Sequence, residues 1–148
     1  MLTADMQTLI RNHSAGMVAS INANGSPSVS PKATFVIVDE TTIAYGDLRS
    51  PGTRANIERS PKVEVCFIDV VTRKAVRVSG TAQVVDKAAA SPAMQAAFDE
   101  VWGEYIPHMS AFVKIEVSAT EMIWSPGYDI GYTEEQLREA NLAKLNAL

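Results

Sequence analysis

The sequence predicts a mainly β protein with flanking helices: one domain over residues 1–148, built as a six-stranded antiparallel barrel. Three observations carry that expectation. Runs such as "KVEVCFID" and "AVRVSGTAQVV" alternate apolar and polar residues with a period of two, as half-buried strands do. Helical patterns are few and do not alternate regularly with strands, which argues against a doubly wound sheet. The chain has 148 residues, 47% of them hydrophobic, enough to bury one core of useful size.

The elements follow in chain order. "TADMQTLIRN" spaces Met6, Leu9 and Ile10 on one helical face, with Thr3 as the N-cap. "GMVASI" alternates as a strand, and Asn24-Gly25 marks a hairpin whose two turn positions both favour positive φ. A second strand runs from Ser26 to Val38, "DETT" turns the chain, and "IAYG" returns as the third. A short helix over "ANIERS" follows. Val63, Val65 and Phe67 then set the inward phase of the fourth strand. After the turn "VVTRK", residues Val76, Val78, Gly80, Ala82 and Val84 face inward along the fifth. Ser91 and Pro92 open a helix over "PAMQAAFDEVWGEY", where Trp102, Phe98 and Tyr105 share helical spacing and read as core. "FVKIEVS" is the sixth strand. Thr133 and Gln136 form a capping box for a last helix, with Leu137, Ala140, Leu145 and Leu148 on one side.

Composition removes several classes of function. Net charge is −4 and the pI is near 5.1, so a nucleic-acid partner is not expected. No apolar run approaches the roughly 18 residues of a membrane span, and the N-terminus lacks the pattern of a secretory signal. The single cysteine, Cys66, fits a reducing cytoplasm. His13 and His108 have no companions at metal-ligand spacing, so no metal is expected. Nucleophile-elbow, P-loop and dinucleotide-binding motifs are absent.

The chemistry concentrates in "YGDLRSPGTRANIERSP", residues 45–61, where a strand runs into a helix. Helix N-termini expose unpaired N–H groups at the positive end of the dipole and so attract anions. Here Arg49 and Arg54 offer charge, Ser50 and Thr53 offer hydroxyls, and Gly52 allows close approach. A phosphate would suit this set. The plainer alternative is a solvated loop in which Thr53 caps the helix at "RANI".

In order and spacing, "GMVASINANGSPSVSPKATFVIVDETTIAYGDLRSPGTRANIERSPKVEVCFID" followed by "AVRVSGTAQVV" resembles the FMN-binding split-barrel proteins related to pyridoxamine 5′-phosphate oxidase. The likeness spans roughly residues 8–118. "TRANIERSPKV" is its most telling piece, matching the family's basic helix start followed by N-[IL]-x-x-x-P-x-V. The resemblance implies a split barrel with the FMN phosphate on Arg49, Ser50, Thr53 and Arg54. It implies the isoalloxazine ring against Pro31, Lys32, Ala33 and Thr34, flanked by Tyr45, Gly46 and Asp47. Lys32 would then steady negative charge on the reduced ring. The resemblance also implies a homodimer with flavins at its interface, where Trp124 of the second copy can cover the ring.

Two departures qualify what is implied. The tail "WSPGYDIGYTEEQLREANLAKLNAL" lacks the basic and aromatic set that binds substrate phosphate in true pyridoxamine-phosphate oxidases, so that activity is not expected. Gly52 stands where many relatives carry a lysine, which leaves Arg49 or Arg54 to supply the charge. The leading expectation is an FMN-dependent oxidoreductase passing electrons between a donor such as NAD(P)H and a small molecule. The alternatives are deazaflavin F420 or haem on the same scaffold, or a flavin-binding module without efficient turnover.

Overall fold

A computed structural model describes residues 1–148. The elements are α1 (Ala4–Asn12), β1 (Gly16–Ile21), β2 (Pro27–Lys32), β3 (Phe35–Asp39), β4 (Thr42–Asp47), α2 (Pro51–Arg59), β5 (Lys62–Asp69), β6 (Lys74–Val85), α3 (Pro92–Trp102), β7 (Ala111–Trp124) and α4 (Glu134–Asn146). One antiparallel sheet runs in the order β2-β1-β5-β6-β7-β4-β3.

The sheet has seven strands where the sequence pattern suggests six, because the segment Ser26–Val38 divides at Ala33 and Thr34. Its two halves, β2 and β3, lie at opposite edges of the sheet. Three Cα steps from Lys32 to Phe35 span at most about 11 Å, so the sheet must curl until its edges nearly meet. No ladder joins those edges, and the barrel is therefore split. Thr34 explains the break. Its Oγ1 accepts from the Gly46 amide at 3.0 Å and donates to the Gly46 carbonyl at 2.8 Å, taking the place of a backbone partner.

Two cores result. Inside the barrel, Val18, Phe35, Tyr45, Val65, Phe67, Val76, Val78 and Ile115 pack with Met6, Leu9 and Ile10 of α1 and Ile57 of α2. Outside, α3 covers β3, β4 and β7 through Met94 and Phe98, whose ring stacks on Phe112 with centroids 3.9 Å apart. Trp102 is only half-buried there, its Nε1 donating to the Phe35 carbonyl at 3.1 Å, and Tyr105 is exposed. Gly80 sits where the β6–β7 register shifts, and a Cβ there would lie 2.5 Å from the Glu116 carbonyl oxygen.

The first hairpin forms where expected but with a different turn. Only Gly25 has positive φ, at 84°, and its amide donates to the Asn22 carbonyl at 2.9 Å. This is a longer loop, with glycine left-handed at its end, instead of a two-residue turn. The capping box of α4 is present. However, Leu145 and Leu148 are exposed, and Asn141 is the helix's buried residue.

Candidate functional site

Buried from Ile43 to Asp47, β4 delivers the chain to an exposed turn at Leu48 and Arg49. α2 then begins at Pro51, with Ser50 as its N-cap. Proline suits the first helical position because its φ is already helical and it has no N–H to satisfy. Thr53 therefore lies buried in the first turn and is not the cap considered from the sequence. The first amide to find a carbonyl is that of Arg54, which donates to Ser50 at 2.9 Å. The amides of Gly52 and Thr53 stand ahead of it, without intrahelical acceptors.

Ser50 makes no side-chain cap bond to its own helix. Instead its Oγ accepts from Lys32 Nζ at 2.6 Å, and the same ammonium donates to Ser30 Oγ at 2.9 Å. Burial lowers the pKa of Lys32, while the nearby Asp47 carboxylate works in the opposite direction. Ser30 was not among the residues singled out from the sequence. The signal was there, since Ser30 and Lys32 are two residues apart on one strand and so share a face.

Two pairings thus tie residues 31–34 to residues 45–50: Lys32 to Ser50, and Thr34 to Gly46. Pro31 and Ala33 are exposed at the split. Tyr45 and Asp47 are buried, and both the Tyr45 hydroxyl and Asp47 Oδ1 lack hydrogen-bond partners. Burial, with the Asp47 charge adding to it, pushes the Tyr45 phenol well up. Gly46 lies tight against Met109, whose sulfur would be 2.1 Å from a Cβ. Arg54 is engaged with Glu58 at 3.2 Å, one turn along the helix, and Arg49 is exposed.

Trp124 is placed elsewhere. β7 pairs Ala111 with Asp47 at one end and Trp124 with Lys74 at the other, 13 residues on. That separation is on the order of 40 Å along an extended strand. There Trp124 lines a cleft of about 320 Å³ with His13, Asp69, Lys74, Glu134 and Arg138, and Lys74 Nζ sits 4.3 Å from its ring centroid. No three His, Cys, Asp or Glu side chains gather as a metal site.

Away from the part that α3 covers, the outer face of the sheet over β2, β1 and β5 leaves apolar residues exposed. Across it the register aligns Pro31, Met17, Cys66, Arg77 and Glu121, with Arg77 and Glu121 ion-paired. Met17, Val29 and Ile68 are exposed, at 44%, 66% and 47%.

A split, curled antiparallel barrel with a basic, hydroxyl-lined helix start at its edge defines a class of small split barrels. The pyridoxamine 5′-phosphate oxidase family model matches residues 2–124, and the chain belongs to that family. Among solved structures, HupZ of Group A Streptococcus is 30% identical, with a TM-score of 0.71 over 84% of this chain and 96% of that one. A candidate pyridoxamine 5′-phosphate oxidase of Lactobacillus delbrueckii is 25% identical, with a TM-score of 0.66 over 81% of this chain and 93% of that one. An FMN-binding protein of Syntrophomonas wolfei shares the fold at 11% identity, with a TM-score of 0.65 over 79% and 82% of the two chains. No curated protein matches the chain. No helix is long and apolar enough to cross a membrane.

Proposed function

We propose that this protein is an FMN-binding oxidoreductase in which two copies of the chain hold each flavin between them. The observation that carries the reading is Ser50. As the N-cap of a nine-residue helix it is placed to satisfy a backbone amide, yet its hydroxyl is held by Lys32. The amides of Gly52 and Thr53 are left beside an ammonium and a hydroxyl, a donor set that suits a phosphate. The residues present therefore fit the phosphate end of FMN. The ring would lie along the strand residues Pro31, Lys32, Ala33 and Thr34, with Tyr45, Gly46 and Asp47 beneath it, while the Lys32 ammonium turns away from the ring to the phosphate end at Ser50. The Tyr45 hydroxyl and Asp47 Oδ1, buried beneath the ring, are without hydrogen-bond partners.

FMN supplies hydride and electron transfer when bound; the chain supplies anchoring, orientation and shielding from water. A second copy is supported by the uncovered face with Met17, Val29 and Ile68 exposed, next to Pro31 at the split. Trp124, at the far end of β7, would meet a flavin at this site only when carried by that second copy. NAD(P)H fits as the donor class and a small molecule as the acceptor.

The test is a visible spectrum of the purified protein, repeated after FMN addition and desalting, then after anaerobic addition of NADH or NADPH. Retained flavin bands that a nicotinamide bleaches are the expected result. Bands that persist unbleached would reduce the role to flavin binding. A protein that releases FMN but retains F420 or haem would overturn the cofactor assignment.

A further inference from the structure

We infer that Lys32, and neither arginine of the loop, is the residue that reads the phosphate charge and makes the site prefer FMN to riboflavin. This rests on the flavin-phosphate reading and adds to it which side chain provides the charge.

The loop from Leu48 to Thr53 contains no lysine, and its two arginines, Arg49 within it and Arg54 just after it, are poorly disposed. Arg54 donates its Nε to Glu58 at 3.2 Å, an exposed i,i+4 pair that draws its guanidinium one turn along the helix from its start. Arg49 is exposed, so an anion would have to immobilise a long, free side chain, at a cost of roughly 1–2 kcal/mol in rotamer entropy. Lys32 comes from β2, eighteen residues earlier, and the curl of the sheet brings it to the loop. Its ammonium is already fixed by Ser30 and Ser50, so little freedom remains to be lost.

Electrostatics favour the same residue. Burial makes the ammonium of Lys32 less favourable than it would be in water, and the buried Asp47 carboxylate offsets this only in part. An incoming phosphate would relieve that penalty and accept from the ammonium, from Ser50 once its hydroxyl turns, and from the amides of Gly52 and Thr53. Riboflavin has no phosphate and would leave this set unused. The preference for the phosphorylated form therefore falls on Lys32.

The experiment measures FMN and riboflavin affinity by fluorescence titration for the parent and for Lys32→Gln, Lys32→Arg and Arg54→Gln. Thermal unfolding of each variant confirms folding. Lys32→Gln is expected to weaken FMN about 10- to 100-fold, the range of a lost charged hydrogen bond, with riboflavin within about twofold. Lys32→Arg should recover part of the loss, and Arg54→Gln should change FMN affinity by less than about threefold. Equal loss for both ligands, or a larger loss in Arg54→Gln, would overturn the inference. A second measurement, on parent protein reductively methylated with ¹³C, follows the Lys32 NMR signal during titration with inorganic phosphate. A Lys32 shift with phosphate but no FMN binding would sink the flavin reading and leave Lys32 as an anion site. Equal FMN binding by the parent and Lys32→Gln would sink the role of Lys32 and leave the flavin reading standing. A Lys32 signal that phosphate leaves unmoved would overturn the role of Lys32, whatever the FMN affinity.

Discussion

The two ends of β7 sit in polar surroundings of similar composition that are wired differently. At the Trp124 end, the β5–β6 turn gathers partners from everywhere. Asp69 accepts from the amides of Val71 and Thr72 and from the Thr72 hydroxyl, and meets His13 of α1 at 3.4 Å. Tyr128 donates to the Thr72 carbonyl at 2.6 Å, Asn141 of α4 to the Val71 carbonyl at 2.8 Å, and Arg73 to Asn141 at 3.1 Å. Glu134 pairs with both Lys74 and Arg138. At the Asp47 end, Ser50 leaves its helix uncapped, and the Tyr45 hydroxyl and Asp47 Oδ1 have no partner. A polar cluster whose groups are satisfied within the chain is a fastening; one with unmet donors and acceptors is arranged for something else. Most of the polar groups lining the 320 Å³ cleft beside Trp124 are engaged within the chain, Asp5 and Asn12 excepted.

The fastening should therefore break by unfolding, and the site by losing ligand. The largest effect is expected from Asp69→Ala, which strips three hydrogen bonds from the turn and costs about 3 kcal/mol in urea unfolding. FMN affinity should stay within about threefold, since the substitution lies at the far end of β7; a selective loss of FMN would erase the distinction. Acid sharpens the same point. Burial alone would raise the Asp69 carboxyl, but the bonds from Thr72 and Val71 and the His13 charge outweigh it and hold the pKa below the ordinary 3.8. The carboxylate thus contributes stability above about pH 4 that disappears as the pH falls through the lower folded value. The parent should lose stability more steeply than Asp69→Ala below that point.

Helix caps give the next contrast. Ser91 accepts from the Met94 amide at 3.2 Å and caps α3, so Ser91→Ala should cost about 1 kcal/mol. Ser50→Ala, at the corresponding position of α2, should cost under about 0.5 kcal/mol yet weaken FMN severalfold. Equal stability losses for the two would mean that Ser50 is an ordinary cap. The smallest effect expected is Lys74→Met, which removes a half-buried cation–π contact and an ion pair worth about 0.5–1 kcal/mol together.

Much of this architecture is legible in the sequence because it is local. The inward phase of Val63, Val65 and Phe67, and of Val76, Val78 and Ala82, is a period of two that sheet packing preserves. The caps Thr3, Ser91 and Thr133 announce their helices within three residues. What stayed hidden depends on distant partners. The division of Ser26–Val38 turns on the Thr34 hydroxyl meeting Gly46, which no strand propensity encodes. Lys32 and Ser50 meet only because that division lets the sheet curl. α4 shows the same limit: its capping box is local, but the side it docks is decided by Asn141 reaching Val71, not by its leucines. The early start of α2 was within reach, since Pro51 is a first-turn signal standing directly after a serine.

The central claim is that the start of α2, with its unmet donors, is the ligand site. It is tested most directly by amide NMR of ¹⁵N-labelled protein titrated with FMN. The account predicts that the largest shifts fall on Ser50, Gly52 and Thr53, while the amides of Val71 and Thr72 move little. FMN binding that leaves Ser50, Gly52 and Thr53 unmoved would contradict it.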